Sequence, residues 1–458
     1  MRGFSLKDAA TLLPDFAKSR IARGTLVGVA EQFLQISIQF FSVAIFSKCF
    51  GLEGLGVWLL LFTIPSFLTF ADLGFTTAGG NEMTISVAKG NLSQASNYYA
   101  ALRCLTAVTS IIIFAASFIF FNILFPNIAN FAEKFTNGHA NFTIMILVCY
   151  GLLALYKSVL TVAFRANDNY AFGGLLGALL TGAEALAALS TAAAGGSPVL
   201  VASVYLASRV VGNYVMQAAL KRRAIWVRTH PRLPTLSAFR ELINPSLAAL
   251  ALPGAYAISL QGAVVVIGII GGPSAVPAFT VVRTLTRTAL QFAMILNLTS
   301  MTRFTVSFAN NDERRMGYLI GLNIAICVPI VVIGAIVIHF IAQKFIDLWS
   351  HHVIVADDTL VTTMIIVMVA NILWTPIANF LLAINRHSGY SFMFLLVSAA
   401  SIVLGGALMH QYAATGMALG LLAGEMIMIA WVWREFLNSE IFEYLKYCKN
   451  PNNRPSAD

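Results

Sequence analysis

Arg283 and Arg287 stand four residues apart in an apolar run from about Val276 to Leu298 that holds no other charge. Four residues of helix turn through about 400°, so both guanidinium groups share one face, roughly 6 Å apart along the axis. A charged side chain at the centre of a bilayer costs roughly 2.5–3.5 kcal/mol on insertion scales, so two together call for water or an anion beside them. The chemistry on offer is the binding of negative charge inside a membrane.

The same stretch carries Thr280, Thr284 and Gln291, which with the arginines make a polar stripe at three- and four-residue intervals. A second stripe runs through Glu31, Gln35, Gln39 and Ser42, with Gln32 close by. Lipid satisfies neither stripe, so each faces water or protein. A shared hydrated cavity is one reading, and hydrogen bonding between helices is the other.

Lys157 is a further cavity cation, or a lysine snorkelling to the interface. Glu184 and Arg209 lie at matching depth in consecutive apolar stretches, which suits an ion pair, with a coupling role as the alternative. Glu425 has no partner evident from the sequence and is either a satisfied structural acid or a proton-coupling group. Asp72 reads as a polar anchor beside the loop that holds Glu82 and Lys89. No Walker A pattern, zinc-ligand spacing or nucleophile elbow appears, so an enzyme, a metal and a cofactor are all unsupported. The five cysteines show no CxxC spacing and suggest no disulfide framework.

The elements that must position these residues follow from composition. Of 458 residues 58% are hydrophobic and 11% charged, and the mean hydropathy is +0.78. Such a chain is an all-α polytopic membrane protein. About twelve stretches are long enough to cross the hydrocarbon layer, near 24–46, 54–80, 98–125, 141–164, 172–195, 197–219, 243–270, 275–300, 317–342, 359–384, 389–410 and 413–433. The first reads as a retained helix, not a cleaved signal.

The net charge of +9 does not indicate nucleic acid, because the basic residues are sorted by side. Only Lys48, Lys134 and Lys344 fall in connections on one face, and Lys157, Arg209, Arg283 and Arg287 lie deep in spans. The remainder gather at the other face, which the positive-inside rule makes cytoplasmic, with both termini there and anionic headgroups nearby. The domains expected are a basic N-terminal segment 1–23, six-helix lobes at 24–219 and 243–433, a basic linker 220–242 and a cytoplasmic tail 434–458. No connection is long enough to hold a soluble catalytic domain.

The halves resemble one another. Gly51 to Trp58 is similar to Gly272 to Phe279, an offset of 221 residues (272 minus 51), and Asn169 to Phe172 is similar to Gly389 to Phe392, an offset of 220 (389 minus 169). Two six-helix lobes of the same orientation would be related by a pseudo-two-fold axis along the membrane normal. The offset carries Arg283 and Arg287 onto Phe62 and Ser66, so the cations belong to one half only.

Phe50 to Trp58 followed by Phe67 to Phe75 and the polar loop Lys89-Gly90-Asn91, with Gly272 to Phe279 running into Val282-Arg283-Thr284-Leu285, resembles the Wzx-type polysaccharide flippases of the multidrug/oligosaccharidyl-lipid/polysaccharide exporter superfamily. The resemblance implies a two-lobed bundle of twelve helices in which helices 1, 2, 7 and 8 line a V-shaped cavity. It implies alternating-access transfer of undecaprenyl-diphosphate-linked oligosaccharides to the outer leaflet of the bacterial inner membrane, for O-antigen, capsule or exopolysaccharide synthesis. Membrane lipids, a polysaccharide polymerase and a chain-length regulator are the partners implied. Arginine fits such a substrate, since its planar fork donates paired hydrogen bonds to phosphate oxygens. The rival readings are a cation-coupled multidrug exporter of the same superfamily and, in another class, a membrane glycosyltransferase or O-antigen polymerase.

Overall fold

The computed structural model describes residues 20–68, 74–124, 130–224, 226–227, 234–235, 238–242, 251–309, 313–383 and 388–438. Asp72 lies outside them. Among the described residues every long element is a helix: α1 Arg20–Leu68, α2 Phe75–Ala88, α3 Leu92–Ile119, α4 Ala140–Ala166, α5 Tyr170–Ala193, α6 Pro198–Arg223, α7 Ala251–Gly271, α8 Val276–Ala309, α9 Glu313–Trp349, α10 Asp358–Ala383 and α11 Ser388–Leu437. A π-turn at Ile258–Gly262 interrupts α7, and another at Phe120–Leu124 extends α3.

Nine described helices are long and apolar enough to cross a membrane. The 49 residues of α1 and the 50 of α11 would each extend about 75 Å, more than twice one hydrocarbon layer. Each is two crossings joined at a kink, at Gly51 in α1 and at Tyr412 and Ala413 in α11. These two extra crossings and α8, which its arginines keep out of a purely apolar count, bring nine to twelve. The chain is a multi-pass membrane protein of the expected all-α class.

The internal similarity reaches the backbone. Gly51 has φ 69° and ψ −173°, and Gly272 has φ 78° and ψ 169°, a left-handed and extended combination that side chains rarely adopt. Each sits where one crossing ends and the next begins. Likewise α5 begins at Tyr170 and α11 at Ser388, the places marked by the second sequence match. One close approach is specific to glycine: a Cβ on Gly56 would stand 1.8 Å from the Pro273 carbonyl oxygen.

The chain divides into two compact units, one of Met1–Ile45 with Phe67–Ala249 and one of Phe46–Ser66 with Leu250–Asp458. The hairpin 46–66 therefore belongs with the C-terminal helices, which the expected lobe 24–219 did not provide for. Its tie is direct, since Leu60 packs onto Gly268 of α7.

In the first unit the core joins α2, α3, α4 and α6 around Met83, Tyr99, Leu102, Phe164 and Met216. The basic segment after α6 docks on it. Trp226 is buried against Tyr99 and donates its indole N–H to Asn167 Oδ1 at 3.1 Å, and Leu242 is fully buried. Asn97 exchanges hydrogen bonds with Thr235, and Tyr98 donates to Glu241 at 2.5 Å. In the second unit the core gathers Phe304, Trp374, Phe380, Tyr390, Phe394 and Phe436 from α8, α10 and α11.

Candidate functional site

The arginine pair belongs to the second unit, on α8. Arg283 and Arg287 are both half-buried. Thr284 donates to the Thr280 carbonyl and Thr288 to the Thr284 carbonyl, each at 2.8 Å. Such back-bonding removes those two hydroxyls from the stripe as donors. The arginines, the glutamine and Thr280, whose enclosed hydroxyl has no described partner, remain.

Arg283 is anchored by a defect in α7. A π-turn leaves carbonyls without their usual helical partner, and the Leu260 carbonyl within it accepts from Arg283 Nη1. The guanidinium also lies 5.4 Å from the Phe279 ring centre, within cation–π range. Arg287 makes no hydrogen bond to a described residue and interacts electrostatically with Tyr256 on α7. The two guanidinium groups are close enough to repel one another. Neither has a carboxylate partner among the described residues. One turn further along, the enclosed Gln291 Oε1 also lacks a described partner.

Glu425 on α11 is held by α10. Asn371 Nδ2 donates to both carboxylate oxygens at 3.0 and 3.2 Å, and Trp374 Nε1 donates to Oε2 at 2.6 Å. All three donations suit a charged acceptor. Asn371 and Trp374, missed in the sequence, are three residues apart on one face of an apolar helix. The rule that singled out Gln35 and Gln39 would have found them. Leu260 carried no such signal, because the π-turn is not visible in residue type.

The other named residues belong to the first unit. Glu184 on α5 and Arg209 on α6 form an enclosed ion pair: Arg209 Nη2 meets Glu184 Oε2 at 2.7 Å, and Nε meets the two oxygens at 2.9 and 3.0 Å. Arg209 Nη2 also donates to the Tyr150 hydroxyl at 2.6 Å, and the guanidinium lies 4.3 Å from that ring's centre.

Lys157 on α4 does not snorkel. Its ammonium donates to the Gly177 carbonyl at 3.0 Å and to Thr181 Oγ1 at 2.5 Å, both on α5. With Thr76, Ser158, Thr161 and Arg209 it lines a cavity of about 390 Å³. Glu31 on α1 is exposed and interacts electrostatically with Lys157. Gln35 is exposed and Gln39 half-buried in the same unit. The structure thus brings Glu31 to Lys157 and Glu184 to Arg209 in one unit, and Arg283, Arg287 and Gln291 together in the other.

No protein-family model and no curated protein matches the chain in sequence. Solved structures share its fold. The inward-facing conformation of a multidrug resistance MATE family transporter of the MOP superfamily aligns with a TM-score of 0.71 at 12% identity, over 90% of this chain and 98% of that one. An outward-facing conformation of such a transporter aligns with a TM-score of 0.63 at 14% identity, over 91% and 95%. A MOP superfamily transporter from Pyrococcus furiosus, described as having a binding pocket of reverse polarity that suggests a different function, gives 0.59 at 14% identity over the same shares. At these identities the likeness is one of fold.

Proposed function

We propose that the protein is a transporter that flips a polyprenyl-diphosphate-linked oligosaccharide from the cytoplasmic to the outer leaflet of a bacterial inner membrane by alternating access. The carrying observation is the pair Arg283 and Arg287, two half-buried guanidinium groups on an apolar helix with no described carboxylate to neutralise them. Leaving two such charges in a bilayer costs about 5–7 kcal/mol on insertion scales, which a bound anion offsets. Their spacing of about 6 Å suits the two phosphates of a diphosphate, and most of their donors remain open.

In this reading Arg283, oriented through the Leu260 carbonyl, and Arg287 hold the diphosphate. Gln291 adds an acceptor beside them, and in the first unit Glu31, Gln35, Gln39 and Lys157 offer polar groups of their own. The polyprenyl tail stays in lipid, so only the headgroup crosses. Glu184 and Arg209 hold the first unit together, and Glu425 is the coupling acid. Both termini lie in the cytoplasm, and the product passes to a polymerase and chain-length regulator. The fold supports the transport part of this reading, since related structures are described in inward- and outward-facing conformations.

A multidrug exporter is the second reading, favoured by the function named for those same structures. Export of surface polymer in cells carrying Arg283→Ala, Arg287→Ala or both separates the two. At unchanged protein level each single variant abolishes export, and Lys at either position retains part of it. Full export by the double alanine variant sinks the anion site, and drug resistance conferred by the wild type in its place establishes the exporter.

A further inference from the structure

The apolar wall of α3 is covered over only part of its length. Its buried residues end at Thr106, and beyond them Ile111, Ile112, Phe114 and Phe118 are exposed. Between this face and α4 lies a cavity of about 860 Å³, lined by Ala107, Ile111, Phe114, Leu152 and Leu153, with Arg103, Tyr156 and Pro234 also at its walls. Small residues on both helices, Ala107 and Cys149 among them, make the recess.

Among the described residues of that lining Arg103 is the only charged one. It is exposed, its guanidinium lies 5.7 Å from the Tyr99 ring centre, and it forms no ion pair with a described residue. It sits about one and a half turns beyond Asn97 and Tyr98, which tie α3 to the segment after α6. That segment follows Lys221, Arg222 and Arg223, so Arg103 belongs to the basic end of the unit, the side expected to be cytoplasmic. A cation with free donors at headgroup level, continuous with an apolar recess among membrane-facing side chains, has the polarity of one amphiphile: acidic at one end and hydrocarbon at the other.

We infer that this groove binds an anionic phospholipid, its phosphate on Arg103 and one fatty chain against Ala107, Ile111, Phe114 and Leu153. The charge makes the site selective, because a neutral zwitterionic lipid brings the same chain with no net charge to meet Arg103. One basic residue at a membrane surface is worth about fivefold in binding of an acidic lipid. The site is separate from Arg283 and Arg287 and stands whether or not those residues carry a diphosphate.

The test uses the full chain in detergent and reads lipid retention by native mass spectrometry, with phosphatidylglycerol, phosphatidylcholine of the same chains, polyprenyl phosphate and inorganic phosphate as separate probes. Phosphatidylglycerol is expected to bind at least fivefold better than phosphatidylcholine. Arg103→Gln is expected to remove that preference and Arg103→Lys to keep most of it. Ala107→Phe, at an exposed position where folding is little affected, fills the recess and lowers retention with Arg103 still in place. Equal retention of the two phospholipids overturns the inference. So does inorganic phosphate matching the lipid, and so does polyprenyl phosphate taken up to the exclusion of phosphatidylglycerol.

Discussion

Arg209 and Arg283 are both arginines within membrane helices, and the two units treat them in opposite ways. Arg209 is enclosed, with a side-chain exposure of 8%, gripped by both oxygens of Glu184 and by the Tyr150 hydroxyl, with an aromatic face beneath it. Arg283 receives a single backbone carbonyl, and Arg287 no hydrogen-bond partner among the described residues. A guanidinium has five N–H donors, and each bond made inside the protein is one fewer for a ligand. The first arrangement saturates its arginine and makes a structural joint between α5 and α6. The second keeps charge and donors available, as the proposed anion site requires.

The largest effect should come from breaking the saturated site. Glu184→Ala leaves Arg209 enclosed and uncompensated, and removal of one partner of a buried pair costs about 3–5 kcal/mol. The expected outcome is a large loss of thermal stability in detergent and of protein level in membranes, with partial recovery in Glu184→Gln/Arg209→Met. Stability unchanged in Glu184→Ala would show that the pair is not the joint described.

The open site should respond in two smaller and unequal steps. Arg283→Ala removes the bond to the part-buried Leu260 carbonyl, a loss of about 1.5–3 kcal/mol for a hydrogen bond made by a charged group. Arg287→Ala orphans nothing among the described residues and relieves repulsion, so its stability should stay within about 1 kcal/mol of the wild type. Export should fail in both. Thermal midpoints measured beside export therefore separate the anchored arginine from the free one, and equal destabilisation of the two would contradict the contacts at α7.

The sequence carried the contrast only in part. Glu184 and Arg209 were readable as a pair because equal depth in consecutive helices is a matter of counting, and Arg283 with Arg287 because a charge in an apolar run stands out. Asn371 and Trp374 stand out as polar groups on one face of an apolar helix, but that they meet Glu425 follows only when α10 packs on α11. The anchoring of Arg283 rests on a π-turn, a local register change with no mark in residue type. Crossings were placed well where hydropathy and helix coincide, as in α4, expected at 141–164 and found at Ala140–Ala166. The second crossing was cut short at 80 because Asn81, Glu82 and Thr84 are polar, yet α2 runs on to Ala88. Hydropathy marks the thickness of the bilayer, whereas the backbone stops a helix, here at Gly90 with φ 74°, after which the side chain of Asn91 caps the start of α3.

Lys157 gives the finest test, because it stands between the two arrangements. Its ammonium is spent on Gly177 and Thr181 as a structural cation's would be, yet it lines a 390 Å³ cavity beside Ser158 and Thr161. In Lys157→Met the Gly177 carbonyl still accepts from the Thr181 hydroxyl, at 2.8 Å in the present structure, so no acceptor is orphaned. The cost to stability should be about 1 kcal/mol or less. Export measured at matched protein level then decides the role. A fall in export without a fall in thermal midpoint places Lys157 with Arg283 and Arg287 among the cations that meet the substrate, while unchanged export assigns it to the joint between α4 and α5.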